Sequence, residues 1–426
     1  MKPNILLLVI DCLRADFVNE SGHALTPTID RLAAEGFSFT SAIATTTTTT
    51  PSFAGLLTGS FQYQHGVRSH SGYRLGPDVP TLPQVLREQG YHTRAEVCGP
   101  LGPEVGLDRG FERYNFRDRR ESIHGEWGRA FLDGLPGDMP EPWFAMLHVW
   151  ALHRRRQVLP ECDDREHGAT RYGRALASID VYLARLLEQL PEDTLVVLTG
   201  DHGEEIARNA VHKRIGRLRR KLFRFAQKHG LTRTHMSRGL RGYREGHGHS
   251  LYDELVRVPL VLHCPGLVPQ GRSDLQVRHV DVMPTLLEAA GTAVPDGIAG
   301  EGLAGIMHGH GGAHRYAYLE AVGVTLPDKS EWLAGLRVDN RYKYIYAPYR
   351  DGFEPELYDL QADPGERQNL AASHPDVAAD MRARIERMGT EEMSGVEMSA
   401  EEQARVMARL QDLGYVDGAT EQEPQD

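Results

Sequence analysis

The run ILLLVID at Ile5–Asp11 decides the fold class of this 426-residue chain. Its six aliphatic residues fall well short of the ~18–20 that a membrane-spanning helix needs. The run also ends directly in an aspartate, without the small-residue cleavage site of a signal peptide. A short aliphatic run between polar residues is typical of a strand buried on both faces of a sheet. We therefore predict a buried first strand and, since no other stretch could span a bilayer, a cytoplasmic protein.

Similar runs alternate with amphipathic segments through the first two-thirds of the chain. The other strand-like runs are Phe144–His148, Leu195–Thr199 and Val258–His263. The segments with a helical pattern are Thr28–Glu35, Thr81–Gln89, Arg171–Gln189 and Val280–Ala290. This alternation predicts an α/β domain over residues 1–315, with helices on both faces of its sheet.

Acidic residues follow two of the predicted strands. Asp11 comes directly after the first strand, and Asp201 follows Thr199-Gly200. Ligands of open α/β sheets bind at the carboxyl ends of the strands. We therefore expect the two carboxylates to converge at that edge.

The pattern changes from residue 316 onward. Short antiparallel strands joined by hairpin turns are predicted there, with one turn at Asp339-Asn340 and a closing helix at His374–Met388. The predicted strands are Tyr316–Ala321, Trp332–Val338, Tyr342–Tyr346 and Glu356–Leu360. Residues 316–390 thus form a small α+β subdomain, and residues 391–426 a tail with one helical patch, Ala400–Leu413, and a frayed polar end.

The composition is that of a globular protein, with 40% hydrophobic and 25% charged residues. A net charge of −11 argues against general binding of nucleic acid by the surface. The four cysteines, Cys12, Cys98, Cys162 and Cys264, are scattered without a CxxC pair. Their spacing therefore predicts neither a disulfide framework nor a zinc ribbon.

The segment 206–244 differs from the rest of the chain in its charge. It contains thirteen Lys or Arg residues and no Asp or Glu. Ile215, Leu218, Leu222 and Phe225 recur at helical spacing, which predicts a basic amphipathic helix. Such an insertion could contact an anionic surface or cover a site for anions. A solvated insertion without such a role explains the composition equally well.

The string TTTTTTPSFAGLLTG at Thr45–Gly59 has the composition of a helix N-terminus. The free backbone N–H groups and the dipole of such a terminus favour an anion. A threonine held there beside a divalent metal can ionise and attack phosphorus or sulfur. A helix start that is merely capped would use the same residue types.

The string resembles the Cys-x-Pro-Ser-Arg signature of the sulfatase family in the alkaline phosphatase superfamily. Alignment on Pro51-Ser52 puts Thr49 at the position of the family's catalytic residue. Further stretches resemble the family in order and spacing: Pro3–Asp16, Thr26–Ala33, Thr199–Glu204, Leu251–Leu260, His279–Thr285 and Glu356–Leu370. The resemblance implies a mostly parallel central sheet flanked by helices, with a smaller C-terminal antiparallel-sheet subdomain.

The resemblance also implies a metal site. Asp11, Asp201 and His202 match the family's metal ligands, and Thr49 completes the set. Carboxylate oxygens with one imidazole suit calcium, magnesium, manganese or zinc. The identity of the divalent ion therefore stays open.

Other site residues are carried over by the same matches. His153 stands where the family has a substrate-contacting or proton-donating histidine. His247 and His249 stand where the family has a substrate-binding lysine or histidine, and they could bind the substrate or assist departure of the leaving group. Arg14, from its place shortly after Asp11 in the chain, could bind an anion. Each has a second interpretation: a loop histidine without a role for His153, a second metal or a structural glycine-rich turn for His247 and His249, and a surface ion pair for Arg14.

Four departures from the family pattern bear on the chemistry. Thr49 is neither Cys nor Ser, so formylglycine cannot form there. Phe53 replaces an arginine, Cys12 replaces a second aspartate, and Cys98–Leu101 lacks the family's cation. Because phosphodiesterases and phosphotransferases of the superfamily use a threonine nucleophile, these departures favour phosphate over sulfate chemistry.

The sequence therefore predicts a metal-dependent hydrolase of phosphate esters, either diesters or monoesters, that acts through a covalent phospho-threonine at Thr49. Hydrolysis of sulfate esters is the alternative, and a third hypothesis is a binding protein of this fold without catalysis. The expected partner is an anionic ester, with no nucleic acid and no transmembrane segment.

Overall fold

The computed structural model describes residues 2–18, 22–118, 120–134, 139–153, 156–207, 214–216, 218, 221, 222, 246–311, 315–325, 329–389 and 396–416. The strands are β1 Ile5–Ile10, β2 Phe37–Ile43, β3 Tyr73–Arg74, β4 His92–Cys98, β5 Arg113–Arg117, β6 Trp143–Val149, β7 Leu195–Gly200, β8 Arg257–His263, β9 Gly271–Ser273, β10 Val277–Arg278, β11 Tyr316–Ala321, β12 Leu333–Val338, β13 Tyr342–Tyr346, β14 Glu356–Asp359 and β15 Val396–Glu397. The α-helices are α1 Pro27–Glu35, α2 Thr49–Thr58, α3 Gln62–His65, α4 Leu82–Glu88, α5 Glu126–Gly134, α6 Arg171–Leu187, α7 Asp253–Val256, α8 Val282–Ala289, α9 Ala304–Met307, α10 Pro375–Gly389 and α11 Ala400–Asp412.

The large sheet has nine strands in the order β10-β2-β8-β7-β1-β6-β4-β5, with β9 paired to β2. All pairs are parallel except those that β8 makes with β2 and β7. Strand β1 lies between β6 and β7, and Ile10 is in register with both Val149 and Gly200. The carboxyl ends of β6, β1 and β7 therefore lie side by side at one edge of the sheet, where the sequence predicted that Asp11 and Asp201 converge.

Alternate residues of β1 enter two hydrophobic cores, one on each face of the sheet. Leu7 and Val9 pack in one core with residues of α2, α4 and α8. Leu6 and Leu8 pack in the other with residues of α1, α5 and α6. Burial of each such leucine contributes about 1.5–3 kcal/mol. Helices on both faces explain the uniformly aliphatic run, and they confirm the predicted α/β class.

The C-terminal sheet is antiparallel in the order β11-β12-β13-β14. Asp339 and Asn340 both adopt positive φ, 48° and 56°, between β12 and β13. These angles fit the two-residue hairpin turn predicted there. This sheet shares buried residues with the first, because Ile43 of β2 packs in one cluster with Leu319 and Ile345. The boundaries 1–315, 316–390 and 391–426 stay predictions.

Only part of the basic insertion belongs to the described residues. Residues 214–216, 218, 221 and 222 are helical, and Ile215, Leu218 and Leu222 among them expose large apolar side chains. Most of the predicted insertion, including Phe225, lies outside the described residues. Glu205 and Gly246 exchange two backbone hydrogen bonds of 3.0 and 3.2 Å, so the insertion leaves and re-enters the fold at one point. Among the described residues, none forms a helix both long and apolar enough to cross a bilayer.

Candidate active site

Asp11 and Asp201 meet, fully buried, at the carboxyl edge of β1 and β7. Asp201 Oδ1 accepts hydrogen bonds from the backbone N–H of Cys12 at 3.0 Å and of His202 at 2.8 Å. Its other oxygen, Oδ2, is buried and lies 3.3 Å from Nε2 of His202, but it accepts no well-formed hydrogen bond from the described residues. A buried carboxylate oxygen without a well-formed hydrogen bond is costly unless a ligand meets it.

Thr49 opens helix α2 beside these carboxylates. Its hydroxyl donates to Asp11 Oδ2 at 3.4 Å and lies 3.3 Å from Nε2 of His202. The neighbouring Thr50 is turned elsewhere, with its hydroxyl 2.6 Å from Nδ1 of His70. Of these two hydroxyls, the one at the helix N-terminus that faces the acidic pair is therefore that of Thr49.

The donor set fits a divalent cation. One ligand atom each from Asp11, Asp201 and His202 can be chosen so that all lie within 4.8 Å of one another. Burial and the charge of Asp11 raise the pKa of Asp201, and this effect outweighs the opposing influence of His202 and His148. A cation between the two carboxylates would offset the charge of both and could bind Oδ2 of Asp201 and Nε2 of His202 together.

Cys12 adds a sulfur to the same cluster. Its Sγ lies 2.7 Å from Asp11 Oδ1 and 3.6 Å from Nδ1 of His247. Cys12, His202 and His247 form a second group whose ligand atoms all lie within 4.8 Å of one another. The residue adopts φ of 62°, a left-handed conformation that L-residues other than Gly rarely take. This strained backbone turns the thiol toward the carboxylates. Cys12 is therefore a candidate ligand, whereas the sequence indicated only the loss of an aspartate at this position.

His148, at the end of β6, is a site residue that sequence reasoning missed. Its Nε2 lies 3.3 Å from Asp11 Oδ2, and its ring is fully buried. Burial lowers its pKa, but hydrogen bonds with Asp11 and Cys98 outweigh that effect and raise the pKa to about 10. The neighbouring imidazolium in turn holds the pKa of Asp11 well below its usual range, despite the opposing effect of burial. Because side chains alternate between the two faces of a strand, the place of His148 in the predicted strand could have suggested the face toward which its ring points.

Two of the predicted histidines border the site. The ring of His153 stacks on Trp150 with centroids 4.0 Å apart, and lies 5.3 Å from the ring of His247. His247 also lies 4.4 Å, ring to ring, from His202. Gly248 follows at φ of 77°, and a Cβ there would lie 3.0 Å from Thr48. The close approach of this loop to the threonine run therefore requires the glycine.

His249 and Arg14 have other partners. His249 Nε2 lies 3.1 Å from Glu205 Oε2, which ties it to the base of the insertion rather than to Thr49. Arg14 makes two hydrogen bonds of 2.8 Å to the carboxylate of Asp16 and a third to the backbone oxygen of Glu204. The ion-pair interpretation of Arg14 is the one that these contacts favour.

Tyr415, from the C-terminal tail, is the least expected residue of the cluster. Its hydroxyl lies 2.7 Å from Nε2 of His153 and 3.5 Å from Nε2 of His247. Nothing in the sequence near residue 415 carries a motif, so only the fold of the tail reveals it. The site thus contains carboxylates, imidazoles, a thiol, an aliphatic hydroxyl and a phenol.

The fold and this cluster are typical of hydrolases of the alkaline-phosphatase type. The chain belongs to the sulfatase family, since the family model described as "Sulfatase" matches residues 3–292. A second model, described as "N-sulphoglucosamine sulphohydrolase, C-terminal", matches residues 247–391. The predicted resemblance is therefore confirmed. Members of this family generally use a divalent metal, in agreement with the donor set.

Individual relatives agree with this assignment. The chain is 25% identical over 471 residues to a Delta 4,5-hexuronate-2-O-sulfatase of Bacteroides thetaiotaomicron, covering 90% of this chain and 88% of the relative. A solved 2-O GAG sulfatase superposes with a TM-score of 0.67 at 23% identity, covering 91% and 92% of the two chains. The phosphonate monoester hydrolase of Agrobacterium radiobacter superposes with a TM-score of 0.67 at 20% identity, covering 91% and 95%. At these identities the two solved structures show the fold alone.

Proposed function

We propose that this protein hydrolyses phosphate esters through a covalent phospho-threonine at Thr49. One observation carries the proposal: a threonine hydroxyl, at a helix N-terminus, faces Asp11 and His202 inside a cation-binding donor set. A hydroxyl nucleophile yields a phosphate ester that water can cleave in a second step. The threonine at position 49 also removes the cysteine from which ordinary sulfatase chemistry would start.

The chain's own groups support both steps. In the first, the ionised Thr49 Oγ1 forms a bond to phosphorus and the bond to the leaving alcohol breaks. The alcohol takes a proton from the imidazole of His153, at the border of the site. In the second, water attacks phosphorus and returns a proton to His153, the bond to Oγ1 breaks, and Thr49 is restored as the ionised hydroxyl with release of the phosphate group. A divalent cation, when bound, supplies Lewis acidity and offsets negative charge on the phosphoryl oxygens.

The cation that we propose is a late transition-metal ion such as zinc. Asp11 and Asp201 offer hard oxygens, but His202 offers an imidazole and Cys12 a thiol within the same cluster. Calcium and magnesium prefer oxygen ligands, whereas nitrogen and sulfur favour later metals.

Sulfate-ester hydrolysis is the second candidate, and the family match favours it. Both family models and the curated relative bear sulfatase descriptions. The same hydroxyl, cation site and imidazoles could act on a sulfuryl group.

A matched set of aryl esters tests the proposal. The metal-loaded protein would be assayed on p-nitrophenyl phosphate, bis(p-nitrophenyl) phosphate, p-nitrophenyl phenylphosphonate and p-nitrophenyl sulfate, with each divalent metal in turn. We expect turnover of at least one phosphorus ester to exceed that of the sulfate by tenfold or more. Turnover of the sulfate alone would replace the proposal by the second candidate. Turnover of none, with metal bound, would support a binding protein without catalysis.

A further inference from the structure

The C-terminal tail returns to the large domain along a defined path. Strand β15 pairs with β3, Val396 opposite Arg74 and Glu397 opposite Tyr73. The backbone N–H of Met398 then donates to the oxygen of Gly72 at 2.9 Å. Helix α11 begins at a capping box in which Ser399 and Glu402 each accept the other's backbone N–H.

Helix α11 is anchored by charge as well as by packing. Val406 and Leu410 are buried on its inner face. Arg409 makes two hydrogen bonds to the carboxylate of Glu104, at 2.8 and 3.0 Å, and covers the ring of Phe116 at 4.8 Å. A two-pronged arginine–carboxylate pair fixes orientation as well as position. The end of the helix is thereby held at the carboxyl edge of the sheet.

The last turn of α11 directs the following residue. Gly414 has φ of 76°, and its N–H donates to the oxygen of Gln411 at 2.9 Å. The N–H of Tyr415 donates to the oxygen of Leu410, also at 2.9 Å. These two bonds form the Schellman motif, which stops a helix and turns the chain sharply. The turn points Tyr415 toward the active site.

Tyr415 stands at the border of a buried site. Thr49, Asp11 and Asp201 are fully buried, whereas Tyr415 and His247 are partly exposed. The phenol of Tyr415 and the imidazole of His247 therefore form a partly exposed border of the cluster, in contact with His153.

We propose that Tyr415 is a substrate-contacting residue, whose hydroxyl, with His153 and His247, hydrogen-bonds the oxygens of the anionic group at Thr49. The inference rests on the proposed function for the presence of an anionic group at Thr49. It does not depend on whether that group is a phosphate or a sulfate. Phosphate and sulfate both present oxygens that accept from a neutral phenol. Tyr415 of the tail is thus part of the active site, whereas the polar end that the sequence predicts to be frayed lies outside the described residues.

Anion binding by the metal-loaded protein tests this without relying on turnover. Titration calorimetry with inorganic phosphate, and separately with inorganic sulfate, would compare the wild type with Tyr415→Phe. We expect the variant to bind the preferred anion about tenfold more weakly, the factor that corresponds to 1.4 kcal/mol, with unchanged metal content and Tm. KM for the best ester should rise in proportion. Tyr349→Phe, which changes a tyrosine that is 54% exposed, is the matched control.

Two further variants move Tyr415 away from the site without changing its side chain, and so test whether its contact with the anion matters. Arg409→Ala releases the anchor, and Gly414→Ala opposes the positive φ although no atom lies within 4 Å of the new Cβ. Each should reproduce the loss of anion affinity, and neither should add to Tyr415→Phe in a double variant.

The outcomes distinguish the two proposals. Unchanged affinity and KM in Tyr415→Phe would reduce the residue to packing and overturn the inference. A higher kcat/KM would also overturn it, because the tail would then block the site. The expected loss with sulfate but no binding of phosphate would contradict the proposed function and leave Tyr415 in its role. Binding of neither anion by the wild type would contradict both.

Discussion

Within the threonine run, residues 49 and 50 differ in what their hydroxyls contact. Thr49 faces Asp11 and His202, whereas Thr50 is held by His70 and by the backbone oxygen of Pro100. Spacing from Pro51-Ser52 had selected Thr49 from six identical candidates at Thr45–Thr50. The spacing from the motif, rather than the residue type, therefore identified Thr49.

Thr49→Ala should lower turnover by several orders of magnitude, since removal of a nucleophile abolishes the covalent step. Circular dichroism and Tm should stay near those of the wild type, because the hydroxyl makes only long hydrogen bonds. Thr292→Ala, which deletes a hydroxyl with no hydrogen-bond partner, is the control. If Thr50→Ala or Ser52→Ala abolishes activity while Thr49→Ala does not, the register is wrong.

Cys12 makes the choice of metal measurable. Cobalt-substituted protein should show sulfur-to-cobalt charge-transfer absorption in the near ultraviolet, because a thiolate at the cluster is a ligand for late metals. Cys12→Ser should lose that band, and Cys12→Asp should shift binding toward calcium and magnesium. Cys264→Ser, whose thiol donates to the backbone of Asp193, should keep the band. Purified protein that holds only calcium, or a spectrum indifferent to Cys12→Ser, would contradict the proposed transition metal.

At the scale of elements, the basic insertion is closed by the Glu205–Gly246 pair, one residue before His247. Its two ends are therefore beside the site, and the described apolar side chains at Ile215, Leu218 and Leu222 are exposed. We propose that the insertion favours large or polyanionic esters, since clustered positive charge raises the local concentration of anions. A solvated insertion remains the competing hypothesis.

Replacement of residues 206–245 by a short Gly-Ser linker tests the insertion. Small aryl esters should be hydrolysed as before, because the Thr49 cluster lies outside the deleted segment. For polyanionic esters, kcat/KM should fall, and its decline with added salt should flatten, because screened attraction would be lost. Identical kinetics and salt response on every ester tested would mean that the insertion has no part in capture.

The sequence predicted some strands better than others. Strands β1, β6 and β7 and the four C-terminal strands follow the predicted runs within about two residues, because burial on both faces or a tight turn marks them. Strand β8 was predicted, but its antiparallel direction was not, since direction depends on connections rather than composition. Strands β2, β4 and β5 were missed. Polar residues such as Ser38, Thr40 and Arg94 interrupt their apolar pattern.

The sequence predicted fewer of the site residues than of the strands. Motif spacing gave the residues that follow strands, Asp11, Asp201 and His202. It failed for His148, whose direction depends on strand register, and for Tyr415, which arrives from the far end of the chain. It assigned His249 to catalysis and His247 to substrate binding, but the roles of two histidines so close together in a glycine-rich loop depend on backbone angles that spacing does not give.

For the molecule as a whole, the buried acidic pair predicts a link between metal and stability. A cation at 100 times its dissociation constant stabilises the folded state by about 2.7 kcal/mol. Chelation should therefore lower Tm reversibly.

Asp201→Asn should lose this metal response and be at least as stable as the metal-free wild type, because it removes one of two neighbouring buried charges. Differential scanning calorimetry measures both, and a Tm indifferent to metal would argue against the site.

The central position of β1 also has a consequence for synthesis of the chain. The first strand to leave the ribosome has both of its partners far downstream, at Trp143–Val149 and Leu195–Gly200. At typical elongation rates it waits roughly 7–27 s for the nearer one. Until then an aliphatic strand with two open edges is available to other nascent chains. Yield in the cell is thus expected to depend on translation speed and chaperone supply, and the two aspartates meet only after about half the protein has been made.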